Sequence, residues 1–177
     1  MPSKETARNS EEETLELSRQ LCFATYAAAH AFNRVYKPLL DPLGLTYPQY
    51  LVLLVLWGQD NVTVKDIGQQ LALDSGTLTP LLKRLEAAGI VRRTRDQQDE
   101  RQVRVSLTAK GRELKGPATA VWNNVVCATG LSFDELDALK EQLNKLRETL
   151  NAYPGQAATP PQENATAAVA GAAPRRR

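Results

Sequence analysis

Apolar residues recur at helical spacing through most of the chain. The first helix is predicted over residues 14–37. Spacing of three and four residues places on one face, which continues just beyond this range, Leu21, Thr25, Ala28, Phe32, Val35 and Leu39. Pro38 and the turn-forming residues 41–44 predict where this helix ends. The first element is therefore predicted to be a long amphipathic helix.

Capping signals predict where the next helices begin. Thr46 and Gln49 have the spacing of a capping box and precede a nearly all-apolar stretch that ends at Trp57. A helix of this composition is expected to be buried on most sides. Thr63 fits the N-cap of a short third helix.

The hydrophobic period changes after the fourth helix. That helix is predicted to begin at a cap formed by Asp74 or Ser75 and to end at Gly89, which fits the glycine that follows many helices. Residues 90–95 and 101–107 then alternate β-branched residues with arginine, which predicts two strands. The polar residues between them predict a hairpin turn.

Two further helices complete the pattern. Thr108 is predicted to cap a fifth helix that reaches Thr129, with a bend at Gly116 and Pro117. A second capping box at residues 132–135 opens a sixth helix, residues 136–150, with an apolar stripe of leucines.

The element order predicts a mainly α fold with a small β-hairpin wing (α+β), which is a winged helix-turn-helix. Residues 46–108 are expected to form the DNA-binding unit. The outer helices, 14–38 and 109–151, carry apolar stripes that lack a partner in so small a domain, so a homodimer is expected. The polar termini, 1–13 and 152–177, lack a periodic apolar face and are predicted to be disordered.

Composition and charge narrow the class of protein. Hydrophobic residues make up 42% and charged residues 24%, as in ordinary globular proteins. The longest apolar run, residues 50–57, is too short for a membrane span, and the acidic N-terminus is no secretory signal, so a cytoplasmic protein without a membrane partner is predicted. The net charge is only +2, but residues 65–112 hold ten Lys and Arg against six Asp and Glu. This surplus suits nucleic-acid binding, although a charged segment is more often a solvated face.

The helix pair and the hairpin supply candidate DNA-binding residues. The exposed face of the fourth helix is predicted to present Ser75, Thr77, Thr79, Lys83 and Arg84 to the major groove. In the hairpin the candidates are Arg95, Asp99 and Arg101. Arg101 can enter a narrow minor groove, with Asp99 holding its guanidinium by a bidentate pair. A protein-binding winged helix and a merely solvated Arg101 remain open at this point.

The two cysteines, Cys22 and Cys127, raise the question of redox chemistry. Without a secretory signal a structural disulfide is not expected, and one histidine with no CxxC leaves no plausible metal site. No cofactor and no catalytic residue are predicted. Cys22 lies midway along the predicted first helix, where the helix dipole does not favour a thiolate. It is either an inert apolar residue or a sensor supported by tyrosine hydroxyls.

Three motifs carry a family resemblance: residues 74–91 (DSGTLTPLLKRLEAAGIV), residues 99–101 (DER) and residues 107–111 (LTAKG). Together they resemble the MarR family of repressors, over residues 15–150. The resemblance implies a winged-helix dimer held by its terminal helices. It also implies that two recognition helices address the half-sites of a pseudo-palindromic operator.

A closer resemblance rests on residues 21–24 (LCFA), 36–40 (YKPLL) and 45–50 (LTYPQY). They are similar to the organic hydroperoxide resistance regulators of that family, of the two-cysteine type. This resemblance implies that Cys22 senses an organic hydroperoxide and that Tyr36 and Tyr47 hydrogen-bond it across the dimer interface. It implies that Cys127 resolves oxidised Cys22 to an intersubunit disulfide, which releases operator DNA.

Other functions remain open beside this one. A MarR-type repressor released by a small phenolic or aromatic ligand would make Cys22 incidental. Independently of that choice, the alternative for Cys127 is a core residue among Val125, Val126 and Ala128. A thiol peroxidase is disfavoured because no Thr-x-x-Cys motif precedes Cys22 and the winged helix would be unexplained.

Overall fold

The computed structural model describes residues 15–153 of the 177-residue chain. In chain order its elements are α1 (Leu21–Leu40), α2 (Tyr47–Gly58), β1 (Val62–Thr63), α3 (Val64–Leu71), α4 (Ser75–Ala87), β2 (Val91–Arg95), β3 (Val103–Leu107), α5 (Ala109–Glu113), α6 (Lys115–Thr129) and α7 (Phe133–Asn151). Short 3₁₀ helices, Leu17–Arg19 and Asp41–Leu43, flank α1. The disorder predicted for 1–13 and for nearly all of 152–177 falls outside the described residues.

The first helix differs from its prediction at both ends. It begins at Leu21 rather than near residue 14, because Gln20 before it has an extended backbone (φ −84°, ψ 115°). Pro38 does not end it, and the helix continues to Leu40. A proline this close to the end removes only one backbone hydrogen bond, and the burial of Leu40 (1% exposed) stabilises the last turn.

Helix α2 is central to the hydrophobic core, as its all-apolar sequence predicted. Tyr50, Val52, Leu53 and Leu56 are all at most 1% exposed. They lie in one cluster with buried residues of the following helices and strands, among them Ile67, Leu78, Leu82, Leu85, Ile90, Val91, Val105 and Leu107. The core is therefore centred on α2, and it extends beyond the predicted DNA-binding unit, residues 46–108, to Leu40 in α1 and to Ala118, Val121 and Val125 in α6.

Local capping determines most helix starts. Three predicted caps accept the expected backbone N–H: Thr63 from Asp66 at 3.1 Å, Asp74 from Thr77 at 2.9 Å, and Thr108 from Gly111 at 3.1 Å. Both predicted capping boxes form, at Thr46–Gln49 and Ser132–Glu135. Gly89 follows α4 with a φ of +69°, which confirms its predicted position beyond the helix end.

The sheet has three antiparallel strands in the order β1-β3-β2. The hairpin register runs from Val91 opposite Leu107 to Arg95 opposite Val103. Strand β3 begins at Val103, two residues later than predicted, since Arg101 is a turn residue and Gln102 precedes the first paired residue. Strand β1 was not predicted, because two residues show no alternation and their pairing depends on β3.

The predicted fifth helix is two helices, and the break lies at Leu114 rather than at Gly116 and Pro117. Pro117 occupies the first turn of α6, where its missing N–H costs least. Gly111 of α5 is buried and packs so closely that a Cβ there would lie 2.2 Å from the carbonyl oxygen of Ile90. Helix α5 therefore packs backbone-to-backbone against the segment that leads into β2.

The chain forms two compact units, the first ending at Gly130 and the second beginning at Leu131. In the second unit, α7 has the predicted leucine stripe, and Leu139, Leu143 and Leu150 are exposed. Between residues 15 and 153 no single helix is long and apolar enough to cross a membrane. One pair bent by 71°, Leu21–Leu43 with Tyr47–Gly58, meets that length and composition test only jointly.

Candidate redox and DNA-binding sites

Cys22 is the second residue of α1, with a free and exposed thiol. Its position in the first turn corrects the prediction that it lies midway along the helix, an error that follows from the later helix start. The N-terminus of a helix carries a partial positive charge and favours anions. Gln20, the N-cap residue, makes no side-chain cap hydrogen bond that would use the first-turn N–H groups.

The residues around Cys22 are apolar and largely exposed. Leu21 is 61%, Phe23 38% and Tyr26 61% exposed. The Tyr26 ring lies 6.5 Å from that of Phe23 and 4.2 Å from that of His30, so an aromatic row continues along the helix from the cysteine. This part of α1 has an uncovered apolar surface.

The predicted tyrosines Tyr36 and Tyr47 lie together, with ring centroids 4.5 Å apart, and Tyr50 is 5.7 Å from Tyr36. Burial, followed by the neighbouring phenols of Tyr47 and Tyr50, raises the pKa of Tyr36 to about 12. Burial also raises the pKa of Tyr47. Both phenols therefore stay protonated at neutral pH and remain hydrogen-bond donors.

This tyrosine pair is far from Cys22 of the same chain. Tyr36 follows Cys22 by fourteen positions in α1, and at about 1.5 Å of rise per residue the two lie about 21 Å apart along the helix. Tyr47 stays with Tyr36 at the far end. Within one chain, the structure therefore does not bring the predicted supporting hydroxyls to the cysteine.

Cys127 lies near the end of α6 and is also free and exposed. The alternative that it is a core residue is wrong, because the core position of this turn belongs to Val125 (6% exposed). Both cysteines are thus free and exposed in this chain.

Helix α4 presents the predicted polar face. Ser75, Thr77, Lys83 and Arg84 are exposed and Thr79 is half-buried, whereas the opposite face is buried through Leu78, Leu82 and Leu85. Two of the hydroxyls already donate within the helix. Thr77 Oγ1 donates to Asp74 Oδ2 at 2.7 Å and Thr79 Oγ1 to the Ser75 carbonyl at 2.6 Å. These hydroxyls remain available to accept hydrogen bonds.

An unpredicted ion pair joins α4 to the wing. The backbone N–H of Arg93 donates to Glu86 Oε1 at 3.0 Å, and its side-chain Nε donates to Oε2 at 2.8 Å. The hydrogen bond from the Arg93 side chain is the largest cause of a lowered pKa at Glu86. No spacing rule connects a helix end to a strand, so this ion pair could not be predicted from sequence. Arg95 lies two residues further on the same strand face and is exposed.

At the wing tip the predicted bidentate pair between Asp99 and Arg101 does not form. Asp99 Oδ1 accepts the backbone N–H of Arg101 at 3.1 Å, and Oδ2 accepts Nε2 of Gln102 at 3.0 Å. The two residues are too close in a tight turn, where a short carboxylate bonds its own backbone instead. Among residues 15–153, the Arg101 guanidinium has no ion-pair partner.

A cleft of about 380 Å³ lies between α3, α4 and the wing. Its polar lining brings together predicted and unpredicted residues: Thr63, Lys65, Ser75, Thr79, Arg93, Arg101 and Gln102. Lys65 and Gln102 were missed, although the basic surplus of residues 65–112 pointed to this region. Among the described residues no group of His, Cys, Asp and Glu is placed to hold a metal ion.

Comparison with known proteins identifies the family. Residues 34–116 match the family described as transcriptional regulator SarA/Rot. The HTH-type transcriptional regulator TtmR of Methylorubrum extorquens (strain PA1) is 57% identical over 144 residues, 81% of this chain and 74% of TtmR. The organic hydroperoxide resistance transcriptional regulator of Bacillus subtilis (strain 168) is 47% identical over 137 residues, 77% of this chain and 93% of the relative. The chain belongs to the MarR family. It is a regulator of the organic hydroperoxide resistance type and a DNA-binding protein.

The same fold occurs in AbfR of Staphylococcus epidermidis, a protein solved in several redox states. The structure of reduced AbfR bound to DNA is 39% identical, covers 80% of this chain and 99% of AbfR, and gives a TM-score of 0.66. The disulfide-formed AbfR covers 81% and 96%, also at 39% identity, and gives 0.53. The chain therefore shares its fold with AbfR.

Proposed function

We propose that this protein is a homodimeric repressor that senses organic hydroperoxides through Cys22. Oxidised Cys22 forms a disulfide with Cys127 of the partner subunit, and the dimer then releases a pseudo-palindromic operator. The observation that carries the proposal is the distance between Cys22 and its candidate tyrosines within one chain. An exposed Cys22 and its candidate tyrosines lie at opposite ends of α1, about 21 Å apart by helical rise. A second, antiparallel copy of that helix would bring them together.

The uncovered apolar surface supports a dimer. On α1 it includes Leu21, Phe23 and Phe32, which are 61%, 38% and 42% exposed. On α7 it includes Phe133, Leu139, Leu143 and Leu150. A soluble monomer rarely leaves so many large apolar side chains open, whereas a second copy would bury them.

The redox step follows thiolate chemistry. The Cys22 sulfur attacks one peroxide oxygen, the O–O bond breaks, and the alkoxide that leaves takes up a proton to become an alcohol. Cys22 is then a sulfenic acid. The thiolate of Cys127 of the partner subunit attacks that sulfur, an S–S bond forms, and hydroxide leaves and is protonated to water. The apolar neighbours of Cys22 favour organic peroxides over hydrogen peroxide.

The relatives support a redox-controlled regulator. The Bacillus protein is named for organic hydroperoxide resistance, and AbfR is known in reduced, DNA-bound and disulfide-formed states. A disulfide between subunits would change the spacing of two recognition helices. Since such helices address half-sites one DNA turn apart, a change in spacing lowers operator affinity.

In the DNA complex, α4 of each subunit would lie in the major groove and the wing would reach the minor groove. The residues proposed to contact DNA are Ser75, Thr77, Thr79, Lys83, Arg84, Arg95 and Arg101. Asp99 would act through the wing turn rather than by holding the Arg101 guanidinium, because its carboxylate bonds the turn itself.

Replacing Arg101 by Ala is expected to weaken operator binding about tenfold, the loss of one arginine from a narrow minor groove. Fluorescence anisotropy at one fixed salt concentration measures the change. The matched control is Arg147→Ala, which removes the same charge from α7. Equal effects of the two substitutions would show that only overall charge matters and that the wing does not contact DNA.

Replacing Tyr36 or Tyr47 by Phe is expected to slow oxidation of Cys22 by about tenfold, because one hydroxyl donor to the thiolate is lost while the ring remains. Tyr153→Phe, which removes a hydroxyl from an exposed tyrosine beyond the end of α7, is the control. The rate is measured by thiol labelling after timed peroxide exposure. Unchanged rates in both variants would remove the tyrosines from the sensor.

The disulfide is tested with a mixed dimer. One subunit carries Cys22→Ser and a size tag, and the other carries Cys127→Ser. Only a bond between subunits can then form, and it joins a tagged chain to an untagged one on a non-reducing gel after peroxide treatment. Absence of that band, with sulfenic acid still formed at Cys22, would reject the intersubunit step.

A second candidate function has one observation in its favour. An apolar cleft of about 330 Å³ lies between α2 and α6, lined by Tyr50, Leu54, Trp57, Gly58, Lys115, Ala118, Thr119 and Trp122. A small phenolic or aromatic inducer would fit its aromatic walls. In that case Cys22→Ser would keep the normal response to the inducer, whereas the hydroperoxide sensor would lose its response to peroxide.

A further inference from the structure

We propose that Asp96 is a positioning residue of the wing, which fixes the turn that presents Arg101 to DNA. The inference rests on the proposed function, in which the wing contacts the operator. Asp96 lies at the base of the wing rather than at its tip, so an acidic residue there would assist the binding of a polyanion.

Asp96 is the one acidic residue that the described chain buries, with 8% of its surface exposed. It lies between the last residue of β2 and the wing turn. A buried carboxylate is costly unless hydrogen bonds and a cation compensate it. Asp96 therefore needs specific partners, and the wing supplies them.

The first set of partners is the backbone of the wing turn. Asp96 Oδ1 accepts the N–H of Gln98 at 2.7 Å and the N–H of Asp99 at 3.2 Å. The backbone N–H of Asp96 itself donates to the Gln102 carbonyl at 3.0 Å and so closes the loop. One residue thus holds both ends of the turn.

The second partner is Arg104, whose Nε is paired with Asp96 Oδ2. Arg104 also donates from Nη1 to the carbonyl of Asn61 at 2.8 Å. Asn61 lies in the loop between α2 and β1, with a φ of +59°. The turn is therefore tied through Asp96 and Arg104 to a loop 43 positions before Arg104.

The remaining bonds lead to Arg101. The N–H of Gln102 donates to the Asp99 carbonyl at 2.8 Å, and Asp99 Oδ1 accepts the N–H of Arg101 at 3.1 Å. Since Asp96 holds the amide of Asp99, and Asp99 holds the amide of Arg101, the backbone of Arg101 is set before DNA arrives. A preorganised arginine loses less conformational entropy on binding.

The charge of Asp96 allows a positioning role to be distinguished from a purely electrostatic effect on DNA binding. Removing a carboxylate from a DNA-binding protein raises its net charge, which by itself strengthens binding to phosphates. A positioning role predicts the opposite result. Glu100→Ala is the matched control, because Glu100 is an exposed carboxylate in the same turn.

The experiment is a double-mutant cycle on the full-length reduced protein, with operator affinity measured at fixed salt. Asp96→Ala is expected to weaken binding about tenfold in the wild-type background and less than about twofold in the Arg101→Ala background, because the two residues act as one unit. Arg104→Ala is expected to behave like Asp96→Ala. Arg104→Lys, which keeps a cation beside Asp96, is expected to recover most of the affinity, and Glu100→Ala to leave binding unchanged or stronger.

Amide hydrogen exchange without DNA supplies a readout independent of binding. In Asp96→Ala, the amides of Gln98, Asp99 and Arg101 are expected to exchange at least about tenfold faster, with those of α4 unchanged. Equal weakening by Asp96→Ala in both backgrounds, no weakening at all, or faster exchange throughout α4 would each overturn the proposal. Failure of the proposed wing contact is distinguishable, since Arg101→Ala alone would then leave operator binding unchanged.

Discussion

Replacing Cys22 by Ser is expected to leave operator binding by the reduced protein intact and to abolish its loss after peroxide treatment. Serine nearly matches cysteine in size and Cys22 is exposed, so the fold and the DNA-binding face should not change. A hydroxyl does not attack peroxide oxygen as a thiolate does. Allosteric coupling typically changes affinity by roughly 5- to 150-fold. We expect a wild-type change on oxidation in that range and none in the variant, measured by anisotropy with one equivalent of cumene hydroperoxide.

Cys127→Ser serves as the companion variant. It keeps the sensing thiol but lacks the resolving one, so oxidation is expected to stop at the Cys22 sulfenic acid and, with excess peroxide, to continue to the irreversible sulfinic acid. Intact-mass measurement distinguishes these products. If Cys22→Ser still released the operator with peroxide, the sensor would have to lie elsewhere in the protein.

Replacing Gly111 by Ala is expected to destabilise the domain by about 3 kcal/mol or more, which places it among the larger effects of single substitutions. The new Cβ would lie 2.2 Å from the Ile90 carbonyl oxygen and 3.1 Å from Leu107 Cδ2. The carbonyl cannot easily move, because it accepts hydrogen bonds from the N–H of Thr108 at 3.1 Å and from its hydroxyl at 3.0 Å. For a domain of this size the loss corresponds to a Tm lower by roughly 6–12 °C.

Thermal unfolding of the reduced protein measures the effect of Gly111→Ala. Gly116→Ala is the matched control, since it makes the same change in the neighbouring helix α6 at a site where a Cβ would meet no atom within 4 Å. There alanine is expected to stabilise the helix by up to about 1 kcal/mol. Equal Tm values for the two variants would contradict the close packing of α5 against Ile90.

Local interactions explain why much of the fold could be predicted. Thr63, Asp74 and Thr108 each cap a helix through a residue three positions away, so their signals lie within a few letters of sequence. The start of α1 and the break at Leu114 could not be read in this way. No side-chain cap is present at either place. Pro38 suggested a helix end, but the buried Leu40 stabilises a further turn, and Pro117 suggested a bend but lies in the first turn of α6.

The candidate sites show the same division. The exposed face of α4 follows directly from helical periodicity. The placement of Cys22 in a first turn depends on where α1 begins, which the apolar pattern did not reveal. The hydrogen bond from Arg104 to Asn61 joins residues 43 positions apart, so no sequence spacing predicts it. Nothing in the sequence distinguishes the buried Asp96 from an exposed polar turn residue. Sequence suggests tyrosine hydroxyls as donors to Cys22, but a contact from Tyr36 across a dimer interface is implied only by the family resemblance.

One titration tests whether a reversible thiol switch controls operator binding. Operator affinity of the reduced wild-type dimer is measured, then measured again after one equivalent of cumene hydroperoxide, and a third time after dithiothreitol. We expect high affinity in the reduced dimer, its loss after peroxide and its recovery after dithiothreitol, since a disulfide between Cys22 and Cys127 of the partner subunit is reducible. Affinity that peroxide does not change would contradict the sensor and leave a MarR-family regulator controlled by another ligand.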